Sequence, residues 1–345
     1  MADLKFPDDY LSYDSMDLLS KYRDLPQDIK AAYALGDNFT LIKSEEEFDN
    51  IFFMGMGGSA IAFDFLKAHL IKLGLTKPIT IVRDYNPPNT ITKKSLVFVA
   101  SYSGQTEETL SAHRAAFKQT PHIYCATVGG KLEEMCKLNR TPCLIIPKDF
   151  QPRTAALSYL FFPFLKLLER LKLIQPQFYA VNQIIATLTK PTFRDLSISI
   201  SEKLVDKIPL IYASSTMASV AYRMKTSINE NAKVHAFSHN YSELNHNEMM
   251  GFTNIKGNYH VITFKFNDDH RRIQKRMELM KEITNAKGIA TTEIALTGDE
   301  FLTKLFSAVV IGDLTSIFLA LRYKTDPSPV LMVEEFKKKL GTMIV

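Results

Sequence analysis

Cysteine is scarce in this 345-residue sequence, and its three cysteines, Cys125, Cys136 and Cys143, show no CxxC spacing. An odd and sparse set of cysteines argues against a disulfide framework, which small secreted domains use to supplement a small core. The scarcity fits a reducing compartment, so we expect a cytoplasmic protein.

The sequence also lacks a strong charge of either sign. Its formal net charge is +5, and the basic residues are scattered apart from one run, Lys337-Lys338-Lys339. A charge this small does not indicate a nucleic-acid partner, although it suits small anionic ligands.

Signals for export or membrane insertion are not expected either. The start, MADLKFPDDY, does not have the basic-then-apolar order of a signal peptide. The most apolar stretch, AALSYLFFPFLKLL, contains Pro163 and Lys166 and is too short to span a bilayer. We therefore expect a buried helix there and no membrane partner.

Short apolar runs alternate with helical stretches, which predicts βαβ units and a parallel sheet in an α/β fold. The runs in the first half are IFFMGM, ITIVRDY, SLVFVA, HIYCATV and CLIIP, and the pattern restarts with PLIYAS, VHAFS, YHVITFKF and TEIALTG. The two halves therefore resemble repeats of one plan. We place the boundary near Lys190, so that residues 1–190 hold an N-terminal extension and the first domain, and residues 191–345 hold the second domain with the C-terminal helices.

The first strand-to-helix turn, MGMGGSA, contains Gly58 and Ser59 and fits the degenerate G-x-G-x-x-A dinucleotide fingerprint. That fingerprint requires an acid about 20 residues further on. Asp84 lies beyond that distance and follows Arg83, which would partly neutralise it. A tight turn that packs a helix close to a strand is the simpler alternative.

The second such turn, SYSGQTEETL, is rich in hydroxyl groups. Ser101, Ser103 and Thr106 are spaced to face one point, and Gly104 lets the backbone bend. If the two strands are neighbours, Ser59 reaches the same region at their carboxyl ends. Several hydroxyls and two helix N-termini suit a phosphate monoester. The alternative is a helix N-cap with a capping box that starts at Ser103.

These motifs resemble those of a known family. The GGS loop followed by SxSGxTEET resembles the sugar isomerase (SIS) domain. The stretch INENAKVHAFSHNYSELNHNEMMGF, at Ile228–Phe252, resembles the signature of the bifunctional phosphoglucose/phosphomannose isomerases, and QPR and DPSPVLMVEEFKKKL resemble the same family. The resemblance extends from about residue 50 to the C-terminus. It implies two tandem SIS domains, each a parallel sheet flanked by helices in the flavodoxin-like doubly wound arrangement.

The resemblance implies an aldose–ketose isomerase that interconverts glucose 6-phosphate and mannose 6-phosphate with fructose 6-phosphate through a cis-enediolate, without metal or cofactor. It also implies a homodimer in which the histidine loop of one subunit completes the site of the other. The residues that it assigns to the substrate phosphate are Gly58, Ser59, Ser101, Ser103 and Thr106.

Four further residues match the family's catalytic positions. Glu230 would move the proton between C1 and C2, and His246 would open the sugar ring. Arg153 would stabilise the charge of the enediolate. Lys337 best matches a lysine that assists ring opening, although either of the next two lysines could take its place. On composition alone, such an acid or histidine would be interpreted as solvated.

Two other functions are compatible with the motifs. A non-catalytic SIS protein would bind a phosphosugar and regulate a partner, but the first ~45 residues are too few and too acidic for a DNA-binding domain. An amino-sugar isomerase would work with a glutaminase domain, for which the sequence offers no N-terminal cysteine nucleophile.

Overall fold

The computed structural model describes residues 6–43, 47–148, 150–296 and 298–341. Contacts divide these residues into two compact units. The first-sheet unit comprises residues 27–182, and the second-sheet unit comprises the described residues of 1–26 and 183–341. The chain begins with two helices, α1 (Asp8–Leu11) and α2 (Leu18–Leu35).

The first-sheet unit is built on five parallel strands. They are β1 (Asn50–Met54), β2 (Ile79–Val82), β3 (Ser95–Ala100), β4 (Ile123–Thr127) and β5 (Cys143–Ile145). Their order is β2-β1-β3-β4-β5, the flavodoxin-like arrangement that we expected. The helices are α3 (Gly57–Lys72), α4 (Glu107–Phe117), α5 (Gly130–Asn139), α6 (Pro152–Ala155) and α7 (Phe162–Arg170). Helix α8 (Phe178–Leu188) begins in this unit, and its residues from 183 onward belong to the second-sheet unit.

Strands β3 and β4 are buried along their whole length, because helices cover both faces of the sheet. Aromatic rings fill one side, where Phe53 stacks on Phe63 at 4.7 Å and on Phe98 at 5.2 Å between ring centroids. The alternate residues face a second cluster, which includes Phe52 and Cys125.

The second-sheet unit repeats this plan, as the restart of the sequence pattern predicts. Its strands are β6 (Ile208–Ala213), β7 (Phe237–Asn240), β8 (Tyr259–Lys265) and β9 (Thr291–Ala295). They are parallel and lie in the order β7-β6-β8-β9, which matches the first four strands of the other sheet. The helices are α9 (Thr192–Lys203), α10 (Ala218–Ser227), α11 (Tyr241–Leu244), α12 (Arg271–Ala286), α13 (Phe301–Arg322) and α14 (Leu331–Leu340).

Helix α13 is the core helix of the second-sheet unit. By length and composition it could cross a membrane, but 94% of its apolar window is buried inside the molecule. The stretch predicted from the sequence to be the most apolar, AALSYLFFPFLKLL, forms α7 and the buried turn before it. The greater length of α13 was missed because Lys304 and Asp313 interrupt its apolar pattern.

The N-terminal segment groups with the second sheet. The ring of Phe6 packs 5.0 Å from that of Phe318, and the hydroxyl of Tyr22 donates a hydrogen bond to Asp313 (2.9 Å). The predicted division at residue 190 placed this extension with the first domain. The sequence shows that Phe6 and Tyr22 are candidates for burial but does not show against which sheet.

Candidate active site

The turns that follow β1 and β3 lie side by side at the carboxyl ends of the strands of the first sheet. These strands are parallel neighbours, with Met54 in register with Val99. The strand order reverses between them, and open α/β sheets bind ligands at such a point, beyond the carboxyl ends of the strands.

Hydrogen bonds join the hydroxyl groups of the two turns. The backbone N–H of Tyr102 donates to Ser59 Oγ (3.3 Å), and the hydroxyl of Ser101 donates to Thr106 Oγ1 (3.0 Å). Ser59 and Ser101 are buried, whereas Ser103 is exposed and its Oγ accepts from the N–H of residue 105 (3.2 Å). The structure thus gathers these side chains at one edge, with Gly58 in the first turn of α3.

Glycine is required at a close backbone contact in each of these two turns. Gly104 has a φ of +65°, and a Cβ there would lie 1.8 Å from the carbonyl oxygen of Gly129. A Cβ on Gly55 would lie 2.9 Å from the carbonyl oxygen of Ala100. Backbone sterics therefore fix the shape of the turns independently of any ligand.

The helices that leave these turns have no side-chain caps. Thr106 is the N-cap of α4, yet its side chain accepts from Ser101 instead of from a helical N–H. The capping box expected from Ser103 is not formed, because the helix begins later, at Glu107. Helix α3 also starts without a side-chain cap. Two uncapped helix starts beside a group of hydroxyls form an arrangement suited to an anion.

The dinucleotide alternative receives little support. The strand order of the first sheet differs from the 3-2-1-4-5-6 order of dinucleotide-binding folds. Arg83, which we expected to neutralise Asp84, forms an ion pair with Asp64 of α3. Burial raises the pKa of Asp64, while Arg83 opposes that effect.

Tyr102 connects the turn that follows β3 with the segment that precedes Arg153. Its hydroxyl donates to the carbonyl oxygen of Lys148 (2.7 Å), also contacts the carbonyl of Phe150, and accepts from the N–H of Phe150 (3.1 Å). Arg153 itself is buried on α6. Tyr102 was not predicted from the sequence, where its only signal is its position between two serines in SYSG.

In the second-sheet unit, Glu230 lies on a π-helical turn, Ile228–Ala232, at the end of α10. Such turns are rare and are found frequently at functional sites. Glu230 is half-buried. Lys233, at a φ of +60°, donates to the carbonyl oxygen of Glu230 and to that of Pro329 (2.7 Å). This lysine therefore links the π-helical turn to the segment that enters α14.

A buried ion pair lies behind the same turn. Arg223 of α10 donates from Nε (2.9 Å) and Nη2 (3.0 Å) to the carboxylate of Asp313 on α13. Ser227 and Tyr22 also donate to this carboxylate, at 2.5 Å and 2.9 Å. This network was not predicted from the sequence, although a single acid in the middle of an apolar helix could have indicated it.

His246 and Lys337 are exposed on the second-sheet unit. His246 follows α11, and its N–H donates to the carbonyl oxygen of Glu243 (2.9 Å). Lys337 lies on α14, in which none of the ten residues is buried. Its two following lysines are equally exposed, so the choice among the three stays open.

Comparison with known proteins identifies the family. The sequence model of the bacterial phospho-glucose isomerase C-terminal SIS domain matches residues 193–340. A bifunctional phosphoglucose/phosphomannose isomerase of Caldicellulosiruptor bescii is 34% identical over 331 residues, which cover 92% of this chain and 97% of the relative. The chain belongs to this isomerase family. A second member, from Thermoplasma acidophilum, is 33% identical over 299 residues, covering 85% of this chain and 90% of the relative.

Solved structures show the same fold. A tagatose-6-phosphate ketose/aldose isomerase from Escherichia coli superposes with a TM-score of 0.68 at 15% identity, covering 90% of this chain and 93% of the other. The predicted family, α/β fold and enzyme class, a sugar-phosphate isomerase, are therefore confirmed. The roles of the individual site residues stay predictions.

Proposed function

We propose that this isomerase interconverts glucose 6-phosphate and mannose 6-phosphate with fructose 6-phosphate. Relatives that carry both activities in their names align over nearly the whole chain. The observation that carries the proposal is the pair of uncapped helix starts beside joined hydroxyl groups at the β1/β3 edge. A phosphate monoester has the charge and the acceptor oxygens for that site.

Substrate binding begins at the phosphate. The hydroxyls of Ser59, Ser101, Ser103 and Thr106 donate to its oxygens, and Gly58 lets it approach the backbone of α3. In this proposal the hydrogen bond from Ser101 to Thr106 is replaced by hydrogen bonds from both hydroxyls to the phosphate. Fixing the phosphate orients the sugar carbons, so binding energy far from the reaction contributes to the rate.

Proton transfer is assigned to the family positions. His246 moves a proton to the ring oxygen and opens the ring, with Lys337 assisting. Glu230 then carries the proton between C1 and C2, and Arg153 stabilises the negative charge of the cis-enediolate. No step in this route requires a metal or a cofactor.

We further propose a homodimer in the cytoplasm, with neither a nucleic acid nor a membrane as partner. His246 is exposed in a polar loop, which is suited to reaching the site of a second subunit. Helix α14 exposes apolar side chains, including Met332 (85% exposed) and Phe336 (64%), which a second subunit would cover. Light scattering at assay concentration should show a dimer, and an active monomer would contradict the shared site.

A coupled assay with both aldose 6-phosphates tests the proposed activity. We expect turnover of each substrate to fructose 6-phosphate, unchanged by a brief exposure to a chelator. Loss of turnover within that exposure would contradict the metal-free route, since zinc-dependent isomerases are silenced in this way. Binding of phosphosugars without turnover would instead favour the non-catalytic SIS regulator.

A further inference from the structure

Three cysteines and one histidine converge on one face of the first sheet. Cys125 lies on β4, and Cys143 is its register partner on β5. Cys136 belongs to α5, and His113 to α4. Four side chains of metal-ligand type are thus brought together from four separate elements.

Their reactive atoms are close together. A ring nitrogen of His113 and the sulphur atoms of Cys125 and Cys136 all lie within 4.8 Å of one another. The thiol of Cys136 also interacts with that of Cys143, so the fourth side chain adjoins the same cluster.

His113 is the observation that points to a ligand. Its side chain is fully buried, and neither ring nitrogen has a hydrogen-bond partner among the described residues. Buried polar groups in proteins almost always have a partner, because leaving one unpaired costs free energy. A ring nitrogen without a partner at this depth is available to coordinate a metal ion.

We propose that His113, Cys125, Cys136 and Cys143 bind a structural zinc ion. A closed set of three cysteines and one histidine is one of the standard structural zinc sites. Thiolates favour soft or borderline metals over magnesium or calcium. With Zn–S bonds of about 2.3 Å, tetrahedral geometry places sulphur atoms about 3.8 Å apart. The observed separations among His113, Cys125 and Cys136, all within 4.8 Å, need only small side-chain shifts to reach that geometry.

An entry route reaches the cluster from solvent. A pocket of about 330 Å³ is lined by Cys136 and Cys143, together with Lys137 and Arg140. A hydrated zinc ion that enters exchanges its water for the four side chains, and the three thiols release their protons to solvent. Three thiolates leave the site with one net negative charge. Arg140 lines the same pocket, whereas Lys137 is already paired with Glu133 (2.6 Å).

Zinc at this position would stabilise the first-sheet unit and take no part in the isomerisation. The cysteine–histidine cluster lies under α4 and α5. The turns proposed to bind the substrate phosphate lie beyond the carboxyl ends of β1 and β3. The proposal is therefore independent of the proposed function, and spectroscopy can test it without an activity assay.

Cobalt titration is the direct test. The tag-free full chain, purified under reducing conditions and stripped of metal, is titrated with Co²⁺. We expect thiolate-to-cobalt charge-transfer absorption and the intense visible bands of tetrahedral Co²⁺, saturating at one ion per chain and removed by Zn²⁺. Folded protein with free thiols that gives no charge-transfer band would overturn the proposal and leave a cluster of packed thiols.

Matched histidine variants assign the site. His113→Gln should weaken Zn²⁺ binding at least tenfold in competition with a chromophoric chelator. His69→Gln, at another buried histidine of the same unit, should leave it unchanged. Equal affinities in the two variants would contradict the assignment. If His113→Gln fails to fold, Cys143→Ser provides the same comparison, since that side chain is only partly buried.

Discussion

At the scale of single residues, the site depends on side chains that serve the turn as well as a ligand. Ser59 and Ser101 are buried and already hydrogen-bonded within the two turns, and the backbone of Tyr102 joins them. Ser103 and Thr106 are the more accessible hydroxyls. Ligand binding therefore needs only an exchange of hydrogen bonds in a preformed arrangement.

Removing two of these hydroxyls tests the phosphate site. Ser101→Ala combined with Ser103→Ala should raise KM for every phosphosugar by about tenfold or more, because hydrogen bonds to a charged group are lost. Steady-state kinetics with each substrate measures the change. Ser111→Ala, within helix α4 beyond the turn, is the control and should leave KM unchanged. An unaltered KM in the double variant would place the phosphate elsewhere.

Glu230 tests whether one base serves both aldoses. Glucose and mannose 6-phosphates differ only at C2, and removing the C2 proton erases that difference. Glu230→Gln keeps the shape but removes the base, so both kcat values should fall together by about 10²–10⁴-fold with little change in binding. Glu282→Gln, on the exposed face of α12, is the control. Loss of one activity alone would contradict the shared base.

At the scale of elements, the π-helical turn depends on the helix behind it. Asn231 of that turn donates to Ser316 of α13 (2.8 Å), and Ser316 donates in turn to the carbonyl oxygen of Asp313 (2.6 Å). Because Asp313 also accepts a hydrogen bond from Ser227, which directly precedes the turn, both ends of the turn are held by one short segment of α13.

Asp313→Asn should be strongly destabilising. It leaves the buried guanidinium of Arg223 without a carboxylate, a change that typically costs about 3–5 kcal/mol. Urea unfolding of wild type and variant measures the free energy of unfolding. Tyr22→Phe removes one hydrogen bond to the same carboxylate and should cost only about 1 kcal/mol. Equal stability in Asp313→Asn and wild type would show that the pair contributes little.

Strands were the elements best predicted from sequence. SLVFVA coincides with β3, and PLIYAS overlaps β6, because continuous apolar runs are typical of covered parallel strands. The strand predicted at VHAFS was placed less accurately, since β7 begins only at Phe237 and continues through polar residues to Asn240. At the edge of a sheet, local sequence specifies less because fewer neighbours bury it.

Contacts between distant residues were not predictable in the same way. The cluster of cysteines arises from the register of β4 with β5, and the Arg223–Asp313 pair joins residues far apart in the chain. Spacing rules detect ligands within one turn or helix. They do not detect side chains that are brought together by strand order.

At the scale of the whole molecule, each unit contains a buried histidine that must stay neutral. His69 pairs with Gln177 in the first-sheet unit (2.9 Å), and His260 pairs with Thr292 in the second-sheet unit (2.8 Å). Burial lowers the pKa of each to about 4, and nearby lysines contribute at His260.

These histidines should destabilise both units as the pH falls from about 6.5 to about 4. In that range the unfolded chain binds protons at both histidines and the folded chain does not, so acid favours unfolding. The free energy of unfolding falls by up to about 1.4 kcal/mol per pH unit for each histidine. Unfolding curves at several pH values should show a shallower loss for His69→Gln than for the exposed control His235→Gln. If both variants lost the same unfolding free energy as the pH falls, His69 would be excluded as a cause of the acid destabilisation.

The repeated strand order has a consequence for stoichiometry. The second sheet also reverses its strand order between β6 and β8. Each chain therefore has two places, at the carboxyl ends of adjacent central strands, of the kind that binds ligands. Only the first place has glycines at positive φ, Gly57 and Gly104, whereas residues 214–217 contain no glycine. Beyond β8 the chain places two acids, Asp268 and Asp269, in place of the hydroxyl residues of the first sheet. A duplicated architecture should therefore bind a single phosphosugar per chain, and calorimetric titration should saturate at that ratio.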